Sequence, residues 1–318
     1  MTEKIVIAGA SGFIGSYLTA AYRAEGAEVV HIGRTGDAVW GDLPAITDLI
    51  DGSALLVNLA GKSVNCRYTP ANRAEIMRSR VETTRELGRA TAASSSPPKL
   101  WLNSSTATIY RHADDRPMTE SSGEIGSGFS VSVATAWERE FFAAATPDTR
   151  RVALRMAIVL GDGSALIPLL RLAQFGLGGA QLDGPWFSTR DRREAGVFHE
   201  YRRTRGYQKF SWIHIADVLG AINFLREHEQ IDGPVNLSSP EPSDNTTLMA
   251  TMRRRVGIPL GIPAPRPLLE LGTAIIRSET ELVLKSRWVL PERLDDAGYT
   301  FVHPHLEPAI TEILASRS

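Results

Sequence analysis

At 318 residues with 43% apolar content, the chain is long enough to bury a large core, as one α/β domain or a domain with a smaller companion, and too apolar to be disordered. Its 35 basic and 36 acidic side chains nearly cancel, which removes any electrostatic case for a nucleic-acid or membrane partner and leaves a small-molecule substrate as the expectation. A single cysteine, Cys66, an N-terminus running straight into a strand, and no apolar run near the roughly 20 residues needed to cross a bilayer point to a cytoplasmic protein.

Lys4 to Ala8 has the β-branched, continuously apolar character of a strand buried on both faces. It stops at Gly9, and Gly9-Ala10-Ser11-Gly12-Phe13-Ile14-Gly15 then places three glycines ahead of a helix carrying Ile14, Leu18, Ala21 and Tyr22. In that context Gly9 permits a tight turn, Gly12 lets backbone approach a pyrophosphate, and Gly15 allows helix and strand to pack closely. The second strand, Glu28 to Ile32, follows at the right distance. Its end decides which dinucleotide is favoured. An NAD site offers a carboxylate to the ribose 2′-hydroxyl, whereas Gly33-Arg34 offers a guanidinium suited to a 2′-phosphate, so NADP is expected. The plainer alternatives are an ordinary strand-turn-helix and a solvated arginine.

Ala45 to Ile50 reads as a short helix and Ala54 to Leu59 as a strand ending in Asn58-Leu59-Ala60-Gly61, small residues at the sheet edge where open parallel sheets place ligands. Pro70 opens a long helix to about Ser94, apolar at Ile76, Val81, Leu87 and Ala90; Glu75 and Arg80 fall near one face and on their own read as a solvated pair. Leu100 to Asn103 is the next strand. It delivers Ser104-Ser105-Thr106-Ala107-Thr108-Ile109-Tyr110 to the same edge, where hydroxyls and a phenol can polarise a carbonyl or hold a substrate hydroxyl.

The turn GASGFIG, the strand ending NLAG and the run SSTATIY together resemble the extended short-chain dehydrogenase/reductase superfamily, which includes the sugar-nucleotide epimerases. EIMRSRVETT, FGLGG at Phe175 to Gly179, FSWIHIADV from Phe210 and RWVLPERLDDAGYTF resemble an atypical branch more closely, the epimerase-family proteins with their own C-terminal module. The resemblance implies an α/β fold, a doubly wound parallel Rossmann sheet with a smaller substrate-side module. It implies a Rossmann domain over residues 1–160, completed by about 209–237, and a substrate side built from 161–208 and 238–318. NADP contacts are then expected from Gly9, Ser11, Gly12, Phe13, Ile14 and Gly15, from Gly33 and Arg34 at the adenosine phosphate, from Leu59, Ala60 and Gly61 along the cofactor, and from Ser104. Glu75 and Arg80 become cofactor contacts as well.

One departure matters more than the matches. The superfamily carries a tyrosine and a lysine four residues apart, the lysine lowering the tyrosine pKa for proton exchange. Here that helix reads Ser130-Val131-Ser132-Val133-Ala134-Thr135-Ala136-Trp137-Glu138, with Glu138 its only ionisable side chain. Thr106 matches the catalytic serine or threonine, and Tyr110 is the nearest phenol left to substitute for the missing acid, unless it packs against the sheet edge.

Arg151 to Leu160 reads as one strand, followed by an apolar helix from Ala165 to Phe175. Between Pro185 and Gln208 six arginines alternate with Trp186, Phe187, Phe198 and Tyr201, an apparent insertion that is either a solvated loop or a lid for an anionic substrate. Phe210 to Ile215 returns as a strand carrying Trp212 and His214, which the resemblance places at the substrate pocket, His214 equally as a satisfied core histidine. Asp217 begins the next helix. Further helices are expected over Asn245–Val256, Leu268–Ile276 and Glu292–Gly298, and no metal site is expected. The residues support an NADP-dependent oxidoreductase or epimerase, a cofactor-binding sensor or interaction protein without turnover, or an NAD-dependent nucleotide-sugar epimerase; Arg34 and the missing pair count against the last.

Overall fold

In the computed structural model, which describes residues 2–163 and 166–316, the first strand sets the frame. β1 (Lys4–Ala8) is buried on both faces: Ile5 and Ile7 point into one core layer, Val6 and Ala8 into the other. It is followed by α1 (Phe13–Ala24), β2 (Glu28–Gly33), β3 (Ala38–Val39), α2 (Leu43–Ile50) and β4 (Leu55–Asn58). α3 (Pro70–Ala93) starts with Thr69 accepting the Asn72 N–H and Pro70 in the first turn, a cap that contributes about 1 kcal/mol. β5 (Leu100–Thr106), α4 (Phe129–Phe142) and β6 (Arg150–Met156) follow. β5 runs three residues beyond its expected end, so the hydroxyls lie within the strand and alternate between its faces.

The strand expected over residues 151–160 is broken. β7 (Ile158–Leu160) leaves the main sheet after Ala157 and pairs in parallel with a later strand, while β6 stays. α5 (Leu166–Gln174) covers most of the next expected helix, whose Ala165 lies outside the described residues. β8 (Gln181–Leu182) and α6 (Arg190–Glu194) lead to β9 (Lys209–Phe210), β10 (Trp212–His214), α7 (Ile215–Glu227) and β11 (Gly233–Leu237). α7 starts two residues early because the His214 side chain caps it by accepting the Ala216 N–H. β12 (Ser243–Asp244), α8 (Asn245–Arg255), β13 (Ala264–Pro265), α9 (Arg266–Ile275), α10 (Glu281–Leu284), α11 (Glu292–Asp296) and α12 (Leu306–Ala315) complete the chain.

The main sheet has the order β11-β6-β5-β4-β1-β2-β3 and is parallel throughout. Leu18 and Tyr22 of α1 and Val218, Ala221, Ile222 and Leu225 of α7 cover one face. Ile46 and Ile50 of α2, Leu87 and Ala90 of α3 and Phe141 of α4 cover the other, which makes the doubly wound architecture. A second core beneath α5, α8 and α12 is built from Leu170, Leu248, Met252, Ile310 and Ile313 around Trp212. Between the two, residues 286–290 thread back to the main sheet: Ala113 donates to the Ser286 carbonyl, Val289 pairs with Met118, and Arg287 pairs with Phe210. That return lays the C-terminal segment beside the end of β5. No helix among the described residues is long and apolar enough to cross a membrane.

Candidate functional site

The glycine turn behaves differently at its three glycines. Gly9 has φ +83° and a Cβ there would sit 2.8 Å from the Leu59 carbonyl carbon; a Cβ on Gly15 would sit 2.5 Å from the Gly9 oxygen. The fold itself demands those two. A Cβ on Gly12 would meet nothing closer than 3.4 Å, and Gly12 has an ordinary φ of −79° as the cap of α1. Protein packing therefore leaves Gly12 free to be larger, while a ligand on the uncapped helix end does not. Ser11 and Gly12 are exposed, and Phe13 and Ile14 half-buried, at this turn.

A cleft of about 500 Å³ opens from the turn along β2, lined by Gly9, Ser11, Ser16, Arg23, His31 and the segment Gly33 to Gly36. Gly33 and Gly36 shape its rim: a Cβ on Gly33 would lie 2.8 Å from the Thr35 oxygen, and Gly36 has φ +146°. Arg34 is exposed on this rim. Arg23, which donates to the Val29 carbonyl at 3.0 Å, and Arg34 make the cleft cationic along β2. No carboxylate lines it; Asp37 turns back and accepts the His31 N–H at 2.7 Å.

Leu59, Ala60 and Gly61 follow β4 at the sheet edge, with the Ala60 N–H held by the Asn58 side chain at 3.0 Å. Glu75 and Arg80 do not act together. Glu75 forms a two-pronged pair with Arg78 (2.8 and 2.9 Å) on the exposed side, and that pair, with Arg34 nearby, holds its carboxyl below the usual range. Arg80 folds inward over the Trp137 ring and donates to the Lys62 and Ile76 carbonyls, and burial pushes its pKa down to about 10. It packs where a Cβ on Gly61 would be, so it props the Gly61 loop from beneath.

Alternation along β5 sorts its hydroxyls. Ser104 and Thr106 share one face. Thr106 accepts the Thr108 N–H at 3.1 Å, which leaves its own proton free to donate. Ser105 points the other way and donates to Glu138 at 2.6 Å. Glu138 receives Arg155 through Nε at 2.8 Å and Nη2 at 2.7 Å; Arg155 Nη1 donates to the Tyr110 hydroxyl at 2.9 Å; Tyr110 donates to Asn236 at 2.9 Å; and Asn236 returns N–H groups to Glu120. The expectation that Tyr110 replaces the missing acid is corrected here. Its ring is 1% exposed, its hydroxyl has both donor and acceptor capacity spent inside the core, and burial raises its pKa.

The substrate-side expectations also shift. Trp212 is fully buried in the second core with its indole N–H on the Glu241 carbonyl, so it is a core side chain. His214 caps α7 and packs on the His303 ring at 4.0 Å, and burial pushes its pKa down to about 4; donor atoms of His214, His303 and Glu312 lie within 4.8 Å of one another. The arginine-rich stretch is no free loop. Arg192 pairs with Glu279 at 2.8 Å, His199 is buried against Asp183, and Arg266 ties that aspartate to the His199 carbonyl.

Other groups gather at Thr108, two residues beyond Thr106. Lys285 donates to the Thr108 carbonyl at 2.8 Å and Arg287 to the Thr108 hydroxyl at 3.2 Å. Tyr68, its phenol pushed up to about 12 by burial, lies near Arg287 and Ser130, and Ser130 donates to Glu281 at 3.1 Å. Arg287 opens the C-terminal motif quoted above, but no local pattern marks Lys285 as a neighbour of Thr108 or Tyr68 as one of Arg287.

A seven-stranded parallel sheet, a glycine turn before α1, a hydroxyl-bearing β5 edge and an added C-terminal module make this an extended short-chain dehydrogenase/reductase. The model of the NAD dependent epimerase/dehydratase family matches residues 5–238, and the chain belongs to that family. A second family model, a domain of unknown function (DUF1731), matches residues 264–313. The chain is 31% identical to the epimerase family protein SDR39U1 of Bos taurus over 98% of this chain and all of that one. It is 27% identical to the epimerase family protein YfhF of Bacillus subtilis, over 99% of each chain. The crystal structure of human SDR39U1 (isoform 2) with NADPH superposes with a TM-score of 0.83 at 27% identity, covering 98% of this chain and 99% of that one.

Proposed function

We propose that the protein binds NADP(H) and uses it as an oxidoreductase or epimerase on a small carbonyl or hydroxyl substrate. The observation that carries the reading is the adenosine cleft: Arg34 stands on its rim with no hydrogen-bond or ion-pair partner among the described residues, and no carboxylate lines it. The human relative crystallised with NADPH supports it. Gly9, Gly12 and Gly15 fit a pyrophosphate on the α1 end, Arg34 a 2′-phosphate, and Leu59 to Gly61 with Ser104 the path toward β5. When bound, the nicotinamide supplies or accepts the hydride. Thr106 then offers its free O–H to the substrate oxygen, and Tyr68, protonated at neutral pH, is the phenol on the substrate side.

Titrating the protein with NADPH and NADH by nucleotide fluorescence tests this. NADPH should bind tighter, and Arg34→Ser should cost NADPH roughly 10- to 100-fold, the worth of one charge-assisted contact, and leave NADH unchanged. Preferential NADH binding sinks the assignment. A second reading, cofactor binding without turnover, is favoured by the closed network around Glu138 and Arg155, which stands where the superfamily keeps its tyrosine and lysine. Steady NADPH oxidation with a carbonyl library, lost in Thr106→Val, separates the two.

A further inference from the structure

Four arginine or lysine side chains are buried among the described residues: Arg155, Arg266, Lys285 and Arg287. Two are neutralised at contact distance. Arg155 meets Glu138 at 2.7 Å, and Arg266 meets Asp183 and Glu270, each at 2.7 Å. The other buried charge nearby, Glu279, is matched by Arg67 and Arg192. Lys285 and Arg287 break this pattern as an adjacent pair, where Arg80 under Gly61 does so singly. Each is 7% exposed, they are two residues apart, and neither forms an ion pair with any described residue.

Their partners are all neutral. Lys285 Nζ has one hydrogen bond, to the Thr108 carbonyl; Arg287 donates from Nε to the Thr108 hydroxyl and from Nη1 to the Leu282 and Lys285 carbonyls. Among the described residues, two Lys285 protons and the Arg287 Nη2 amine have no protein acceptor. Glu281, whose charge acts on both, accepts from Ser130 and pairs with neither. The remaining titratable groups around them are Tyr68, protonated, and His112, whose burial keeps it neutral and whose Nε2 is buried with no hydrogen-bond partner; Asp114, Arg202 and the His199–Asp183 pair lie beyond His112. Burial and the Arg287 charge together push the Lys285 pKa down to about 8.

Burying one unpaired cation is costly, and burying two side by side is more so. Both cations sit on Thr108, two residues beyond Thr106. We infer that Lys285 and Arg287 form the seat of an oxyanion carried by the substrate, a carboxylate or a phosphate, held beside the Thr106 hydroxyl. Assignment of that anion to the substrate rests on Thr106 as the reactive end of the site; the seat itself rests on the two cations alone.

The test is thermal unfolding of the full chain at pH 7 in chloride, and in inorganic phosphate or malonate at matched ionic strength, for the wild type, Lys285→Met and Arg34→Ser. Phosphate or malonate should raise the wild-type Tm saturably, by roughly 5 °C at concentrations well above the dissociation constant. The larger response assigns the anion as phosphate or carboxylate. Arg34→Ser should keep the rise, which separates this seat from the cofactor cleft, and Lys285→Met should abolish it. In chloride Lys285→Met should unfold at or above the wild-type temperature, because methionine keeps the stem and removes an uncompensated charge. The inference is overturned by no saturable rise, by a rise that survives Lys285→Met, or by a Lys285→Met protein several degrees less stable in chloride. NADPH titration of the same samples keeps the two readings apart: intact NADPH binding without an anion response removes only the seat, and an anion response without NADPH binding removes only the cofactor.

Discussion

Replacing Arg155 by leucine isolates the Glu138 carboxylate in the core. In the wild type that carboxylate takes two guanidinium bonds at 2.7 and 2.8 Å and one hydroxyl at 2.6 Å, with both side chains of the pair only 10% exposed. The variant leaves it the Ser105 hydroxyl alone and strips Tyr110 of its donor. Breaking one side of a buried pair costs about 3–5 kcal/mol, against which solvent screening is small at this exposure. For a chain of this size that is a fall in Tm of about 10 °C. The double variant Arg155→Leu/Glu138→Leu removes the stranded charge with its partner. It should recover most of the loss, leaving the Ser105 and Tyr110 hydroxyls each short of one bond at about 1 kcal/mol apiece. Urea unfolding of both single variants and the double gives the coupling energy directly, expected at about 2 kcal/mol or more. Purely additive losses would refute the picture of a self-neutralised network. So would single variants of wild-type stability that no longer turn over substrate, because the pair would then belong to the chemistry.

Two further outcomes follow from the glycine turn and from the buried histidines. Gly12→Ala should fold normally, since its Cβ meets nothing closer than 3.4 Å, yet lose at least roughly 10-fold in NADPH affinity, whereas Gly15→Ala should lose about 1–3 kcal/mol of stability because its Cβ falls 2.5 Å from the Gly9 oxygen; unfolding and cofactor titration of both variants separate the roles. His112 and His214, each held down to about 4 from 6.5 by burial, are neutral in the fold and protonated on unfolding in acid. Their contribution is complete above pH 6.5 and is lost as pH falls from 6.5 toward 4, on the order of 1–3 kcal/mol each. Unfolding free energies across that window in wild type and His112→Asn should show the variant losing less stability toward acid; parallel curves would place the acid lability elsewhere.

What the sequence made legible was local. β1, the glycine turn, α1, β2 and Arg34 lie within one short stretch, and each signal there has a direct steric or electrostatic cause. The early end expected for β5 failed for a similar reason: serine and threonine are common at strand exits, and only pairing with β6 through Thr106 keeps them in the sheet. The strand expected over residues 151–160 failed because Ala157 turns to the Leu237 carbonyl and sends β7 toward β10, a choice made by a partner 54 residues away. The choice between the two readings of Tyr110 was not local, because its fate is fixed by Arg155 and Asn236, 45 and 126 residues on. Lys285 carried no local mark and Arg287 only its place at the head of the C-terminal motif, since Thr108, which they flank, is 177 and 179 residues away.

The absent tyrosine and lysine take on a different meaning once these distances are closed. Glu138, the only ionisable side chain on the helix that carries the pair elsewhere, is turned inward to neutralise Arg155, and Arg155 in turn fixes Tyr110. Those charges therefore cancel within the core and leave no cation at Thr106 from the sheet side. The cations nearby, Lys285 and Arg287, come from the C-terminal segment at the 286–290 return and bind Thr108, two residues on, without an ion pair among the described residues. Charge beside Thr108 is thus supplied by the segment whose sequence is matched as a domain of unknown function, and on the proposed reading a perturbation of residues 285–287 should change substrate handling while leaving the cofactor cleft at Arg34 as it is.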